Sequence, residues 1–461
     1  MKQQMMSQKK IFLVLIVICT ASFLLRNGGN FSWTMEAFHL GCPTLRSHPS
    51  PGLKPKHTNI MFLKTHKTAS TTMQNLLFRF ADLNNLTVAL PVQTCGHQFC
   101  YPRNFNAHLV HPHTMPPNII TNHLRFNKSE LQHLMPNDTI YVTILREPAS
   151  MFESLFTYYS RHCQSFKRVP NGSLEAFLDK PFRYYRPEEN ESMYAHNTLT
   201  FDLGGDKDRP PTDVTYAQAF VAEVEQVFTL VMISEYFDES LVLLRHLLSW
   251  DLEDILYVKL NMRTAGSKKS LTPGLSAKIR AWNSIDAYLY DYFNASLWRK
   301  LSALGPGCVS REVRLLQQHQ ERLMKNCFGG HMPLFRTGDQ IKNKDLRPWQ
   351  PNEKVDIVGY DLPVNISQET HDVCRKYITP EISYTRMLLR SQSLRHRRNY
   401  QNWTPQKTQT VQQSKHTILP RHSQVSRNQP TAPKAQGSKS TPKPAEGIKK
   451  MEDKSSNTKA S

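Results

Sequence analysis

The stretch Lys64-Thr65-His66-Lys67-Thr68-Ala69-Ser70-Thr71-Thr72 crowds two lysines, a histidine and five hydroxyl side chains into nine positions. Ammonium and hydroxyl groups donate to phosphate oxygens, and a loop that opens into a helix adds free N–H groups and the positive end of the helix dipole. The stretch contains no glycine, so it is not the nucleotide loop G-x-x-x-x-G-K-[ST]. By pattern alone it also reads as the Thr/Ser-rich start of an ordinary helix. A second anion grip stands at Arg146, with Ser154 eight residues later. A guanidinium forks onto a phosphate through two N–H groups, and a hydroxyl one or two helical turns away can hold the same group. The plain alternative is a surface arginine capping a sheet. Two such grips are what a nucleotide phosphorylated at both its 5′ and 3′ positions requires.

These residues must be held by strands and helices. Asn59–Leu63 is a short apolar run, and after the polar loop Met73, Leu76, Leu77 and Phe80 form the stripe of an amphipathic helix. Thr139–Leu145 is β-branched and continuous, as in a buried parallel strand, and ends at Arg146. Met151, Leu155 and Tyr158 then mark a helix face. Phe228–Ile233 repeats the strand signal before Asp238 and Glu239 open another helix with acids suited to its dipole. Strand–helix alternation of this kind predicts an α/β fold, a central parallel sheet flanked by helices. Both anion grips then sit at strand carboxyl ends, where open α/β sheets bind ligands.

The formal net charge of +20 is unevenly placed. Residues 391–461 carry 14 Lys and Arg against 3 Asp and Glu, and residues 1–57 carry 7 against 1. The remainder is close to neutral, so the folded part is not built to neutralise many phosphates, and no nucleic-acid partner is expected. The expected organisation is a cytosolic tail at 1–10, a transmembrane signal anchor at 11–25, a stem at 26–57, the folded domain at 58–390 and a basic disordered tail at 391–461. The apolar run Ile11–Leu25 covers about 22 Å as a helix against a bilayer core of ~30 Å, a length suited to the thinner membranes early in the secretory pathway. Lys2, Lys9 and Lys10 precede it and place the domain in the lumen. A cleaved signal peptide is the alternative.

Nine N-x-S/T triplets agree with a lumenal domain: Asn30, Asn85, Asn127, Asn137, Asn171, Asn190, Asn294, Asn365 and Asn402. Asn137 directly precedes a strand, close to the fold. Cys42, Cys95, Cys100, Cys163, Cys308, Cys327 and Cys374 follow the apolar run, an odd number that leaves at least one thiol free or paired with another chain. Cys95 and Cys100 with His108, His111 and His113 also read as a zinc set. A disulfide framework explains them more simply, because no second Cys pair stands at finger spacing, and no metal is expected.

The motifs Phe62–Ser70 and Ile144–Pro148 with Ser154 resemble the 5′-phosphosulfate loop and the 3′-phosphate motif of sulfotransferases that use 3′-phosphoadenosine 5′-phosphosulfate (PAPS). Their wording, with Gln98–Phe105, Asn122–Phe126, Glu235–Leu244, Trp250–Asp254, Phe293–Trp298, Pro348–Pro351 and Gly359–Asp361, resembles the Golgi galactose-3-O-sulfotransferases over residues 58–390. The resemblance implies a P-loop-like domain and a PAPS-dependent enzyme in the Golgi membrane, single-pass with a lumenal catalytic domain. Its expected product is a sulfate on the 3-hydroxyl of a terminal β-galactoside, on N-acetyllactosamine-type glycans. It implies that Lys67 stabilises the leaving phosphate oxygen, that Thr68, Ala69, Ser70, Thr71 and Thr72 hold the 5′-phosphosulfate, and that Arg146 and Ser154 bind the 3′-phosphate. Lys64 either adds a second charge or faces solvent, and Thr65 and His66 complete the loop. His123, after the strand-like Asn118–Thr121, is the expected base, with His66 and Glu153 as competitors. Another glycan hydroxyl, on a glycosaminoglycan or galactolipid, and a non-catalytic glycan-binding relic are the rival readings. Homo-oligomers are compatible with the sequence.

Overall fold

A computed structural model describes residues 55–413, except 269, 331–332 and 353–354. The expected cytosolic tail, span and most of the stem lie outside the described residues, as does the chain after 413. The compact unit that carries the site extends to Gln401, and a second unit begins at Asn402.

Strand β1 (Ile60–Leu63) leads through the Lys64–Ala69 loop into helix α1 (Ser70–Leu83). β2 (Val88–Ala89), β3 (Ile119–Ile120) and β4 (Ile140–Leu145) follow, then α2 (Pro148–Tyr158), β5 (Leu230–Ile233) and α3 (Phe237–Leu248). The five strands form one sheet in the order β2-β3-β1-β4-β5, and all its pairs are parallel. Ile60 stands opposite Ile140 and Leu63 opposite Thr143. The aliphatic runs are continuous because both faces of the central strands are covered, and every residue of β1 and β5 is buried. After β1 the chain crosses to one side of the sheet; after β4 it crosses to the other. The carboxyl ends of β1 and β4 therefore frame a topological switch point, the place where such sheets open a ligand crevice.

Met73, Leu76, Leu77 and Phe80 of α1 are buried as their spacing predicts. The polar face of α1 is buried too. Asn75 donates to the carbonyls of Lys376 and Thr379, and the Arg79 guanidinium lies 3.7 Å from the Tyr377 ring centroid. The cover comes from far along the chain, after the long helices α4 (Ser284–Leu304) and α5 (Pro306–Cys327). A small antiparallel pair, β6 (Met262–Arg263) with β7 (Ile357–Val358), precedes α6 (Gln368–Ile378) and α7 (Glu381–Gln413). The Cys327–Cys374 disulfide ties the end of α5 to α6.

Helix α7 runs past residue 390, where the sequence reading began its disordered tail. Gln392 is buried against β2, accepting from the Val88 N–H at 2.8 Å and donating to its carbonyl at 3.2 Å. Arg395 caps the carbonyls of Asn85 and Leu86. The polar composition misled because these side chains serve as sheet-edge partners, which composition does not report.

Cys95 and Cys100 form a disulfide, so they cannot be thiolate ligands as the zinc reading required, and Cys163 is free and buried. Among the described residues no group of His, Cys, Asp and Glu is arranged to hold a metal, and no helix is long and apolar enough to cross a membrane. Of the triplet asparagines, Asn85, Asn137, Asn171, Asn190 and Asn365 are exposed; Asn127 and Asn294 are half-buried, the latter inside α4. Asn137 is thus accessible despite preceding β4. Asn30 and the Asn402 side chain lie outside the description.

Candidate active site

The loop after β1 makes its anion cradle without glycine. Lys67 and Ala69 take left-handed backbone conformations, with φ of 57° and 66°. Each costs a non-glycine residue about 1–3 kcal/mol, a strain found where a backbone must converge on a ligand. The N–H groups of Lys67, Thr68, Ala69, Ser70 and Thr71 have no acceptor among the described residues. They stand at the N-terminus of α1, where the helix dipole favours negative charge.

Four of the loop hydroxyls hold the loop or its neighbours, Thr68 Oγ1 by donating to the Thr65 carbonyl at 3.2 Å. Thr65 Oγ1 donates to the Ile144 carbonyl and Ser70 Oγ to the Thr65 carbonyl, while Thr72 Oγ1 accepts the Leu260 N–H at 3.1 Å. Thr65 and Thr72 therefore brace the cradle from behind, and lie outside the lining of the cleft. Thr68, Ala69, Ser70 and Thr71 line it.

The cleft has a volume of about 410 Å³ and opens over the β1 and β4 carboxyl ends. Lys67 Nζ lies 3.7 Å from the Tyr158 ring centroid, a cation–π contact. Burial, reinforced by Arg263, Arg146 and Lys64, pushes the Lys67 ammonium well below the ordinary lysine value. Arg146 leaves β4 and donates to the Lys67 carbonyl at 3.0 Å, and burial lowers its guanidinium as well. Neither cation has a carboxylate within ion-pair distance among the described residues. Two desolvated, mutually repelling cations beside five free N–H groups make a site that an anion stabilises. Ser154, 2 % exposed, lines the same cleft from α2. Arg263 comes from β6 and pairs with Glu153, Nη2 to Oε2 at 2.6 Å, which occupies the carboxylate that competed as a base.

The base candidates face each other across the cleft floor. His123 donates through Nδ1 to the Lys64 carbonyl at 2.8 Å; a carbonyl only accepts, so the Nε2 of the neutral ring carries the lone pair. Burial and the Lys64 charge hold its pKa well below the ordinary histidine value, so the ring is neutral near pH 7. His66 gives both its backbone N–H and its Nδ1 to Asp202, each at 2.9 Å, and Tyr101 donates to the same carboxylate at 2.7 Å. Lys64 neither faces solvent nor stands free in the cradle: it is buried, with Nζ 2.5 Å from Glu381 Oε2.

Of the expected residues, Lys64, His66, Lys67, Thr68, Ala69, Ser70, Thr71, His123, Arg146 and Ser154 line one cleft. The sequence reading missed Tyr158, Arg263, Lys268, Trp349 and Glu381. Tyr158 stands one helical turn beyond Ser154 and was open to discovery by spacing. Arg263, Lys268 and Glu381 arrive from distant elements, and no local signal marks them. A second cavity of about 310 Å³ shares Thr71, His97, Tyr158, Trp349 and Glu381 with the first.

The galactose-3-O-sulfotransferase family model matches residues 1–392, ending on the residue by which α7 clasps β2. The chain belongs to the galactose-3-O-sulfotransferase family. Galactose-3-O-sulfotransferase 3 of Mus musculus is 54% identical over 394 residues, covering 85% of this chain and 90% of the relative. Galactose-3-O-sulfotransferase 2 of Sus scrofa is 44% identical over 345 residues, 73% of this chain and 85% of the relative. Galactosylceramide sulfotransferase of Homo sapiens is 41% identical over 344 residues, 74% and 80%. Membership in this family makes the chain a sulfotransferase that acts on galactose.

Proposed function

We propose that this protein transfers sulfate from PAPS to the 3-hydroxyl of a terminal β-galactose, on N-acetyllactosamine-type glycans of glycoproteins or oligosaccharides. The observation that carries the reading is that the anion cradle and a neutral histidine with a lone pair on Nε2 line one cleft. The donor fits the residues present, because unpaired Lys67 and Arg146 and five free N–H groups suit its phosphates. Lys67 to Thr71 would hold the 5′-phosphosulfate; Arg146 and Ser154 would hold the 3′-phosphate.

PAPS supplies a sulfuryl group on a phosphate leaving group. His123 Nε2 takes the proton of the galactose 3-hydroxyl as its oxygen bonds to sulfur. Lys67 would stabilise the charge left on the 5′-phosphate oxygen as the sulfuryl group passes from it to the galactose oxygen. His66 lies beneath His123 as a positioning residue. The higher identity to the enzyme named galactose-3-O-sulfotransferase 3 supports a glycan acceptor over a galactolipid. Ile11–Leu25 is proposed as a signal anchor that holds the domain in the Golgi lumen.

The test is transfer of labelled sulfate from PAPS to a panel of β-galactosides, with 3-O-blocked galactosides as controls. Labelling that the 3-O block abolishes supports the reading. Labelling that survives the block assigns a different hydroxyl. A folded protein that does not bind PAPS is not a sulfotransferase.

A further inference from the structure

Among the described residues that line the cleft, two buried side-chain atoms have no hydrogen-bond partner: His66 Nε2 and Glu381 Oε1. The carboxylate is the more demanding of the two. A buried acceptor left unsatisfied costs about 1–3 kcal/mol, and more when charged, so its retention calls for a partner that arrives from outside.

The position of Glu381 indicates that partner. It is the first residue of α7, and its other oxygen, Oε2, is held by Lys64 Nζ at 2.5 Å. The same Lys64 accepts His123 Nδ1 on its backbone carbonyl. One residue of the cradle thus fixes both the base, through its main chain, and the carboxylate, through its side chain. Glu381 also lines the junction of the two cavities, together with His97, Tyr158 and the half-exposed Trp349. The phosphate and sulfate groups of a donor held at Lys67 and Arg146 repel a carboxylate and offer it no hydrogen. A sugar beside His123 offers hydroxyl donors.

We infer that Glu381 Oε1 accepts a hydrogen bond from a galactose hydroxyl other than the one that is sulfated, and so sets which hydroxyl is presented to His123. The inference rests on the proposed function, since it needs a galactoside in the cleft. Glu381 acts here as a specificity-determining residue, and Lys64 as the strut that aims it.

The test pairs a substrate hydroxyl with the side chain. Dissociation constants for a β-galactoside and its 2-, 4- and 6-deoxy analogues are measured by calorimetry on the full chain saturated with adenosine 3′,5′-bisphosphate, so that turnover plays no part. With wild type, one analogue is expected to bind about 10-fold or more weakly than the parent, as for a hydrogen bond to a charged group. With Glu381→Ala, that analogue and the parent are expected to bind within about 3-fold of each other. Glu381→Gln keeps the shape and a neutral acceptor, and is expected to give an intermediate ratio; it serves alone if the alanine variant does not fold. A ratio as large in the variants as in wild type overturns the inference, as does a wild type that discriminates against none of the three analogues. A wild type that binds the bisphosphate but neither binds nor sulfates any galactoside overturns instead the function on which the inference rests.

Discussion

His66 and His123 lie face to face, their ring centroids 4.0 Å apart and their planes 12° from parallel. Each ring gives its Nδ1 proton to a different acceptor, Asp202 for His66 and the Lys64 carbonyl for His123. After burial and the Lys64 charge, the neighbouring His66 adds to the lowering of the His123 pKa. His66 is 2 % exposed and His123 is 9 % exposed, which places His123 on the substrate side of the stack.

His123→Ala is expected to lower kcat by about 10²–10⁴-fold, the usual contribution of general base catalysis, with affinity for adenosine 3′,5′-bisphosphate unchanged. His66→Ala should cost less, because it removes a support for the base and leaves the lone pair in place. Steady-state kinetics on both variants checks the assignment. A larger loss for His66→Ala would reverse it.

The pH dependence follows from the two displaced groups. His123 must be neutral, and its pKa is lowered from 6.5, so the active form persists below that pH and is lost only as pH falls through the lower value. Lys67 must be charged, and its pKa is lowered from 10.5, so activity is lost as pH rises through a value below that of an ordinary lysine. The kcat/KM profile of the free enzyme should therefore have its acid limb below pH 6.5 and its alkaline limb below 10.5. An acid limb centred at or above 6.5 would exclude His123 as the base.

Arg146 and Ser154 predict selectivity for a 3′-phosphate. Wild type should bind adenosine 3′,5′-bisphosphate more tightly than adenosine 5′-phosphate by about 10-fold or more, as for charge-assisted hydrogen bonds. Arg146→Ala should erase most of that preference and weaken the 5′-monophosphate little. Lys67→Ala should weaken both nucleotides alike. Competition binding separates the two patterns.

Truncation locates the true end of the fold. Ending the chain after Arg390 removes Gln392 from the Val88 N–H and carbonyl and Arg395 from the carbonyls at Asn85 and Leu86. A buried donor and acceptor then lose their partner, at about 1–3 kcal/mol each, which should lower Tm by several degrees. Ending it after Gln401 keeps these bonds and should leave Tm unchanged. Thermal unfolding of the two truncated chains measures the difference.

Much of this molecule was legible in the residues themselves. The aliphatic runs of β1, β4 and β5 and the stripes of α1 and α2 follow from side-chain periodicity, because burial on a parallel sheet demands them. The cradle was legible because hydroxyls, lysines and a helix start are contiguous, and Arg146 because it ends a strand. The roles within the cradle were not. Thr65, Thr68, Ser70 and Thr72 carry hydroxyls like Thr71, and only the folded loop decides that the first four brace its own backbone or its neighbours. Lys64 and Lys67 are both lysines of one loop, yet Glu381, 317 positions away, neutralises the first, while Arg146 and Arg263 crowd the second. Periodicity and local composition report what a residue does within a few positions of itself. Whether a charge meets a carboxylate, another cation or a substrate depends on contacts across hundreds of positions, and those belong to the tertiary structure.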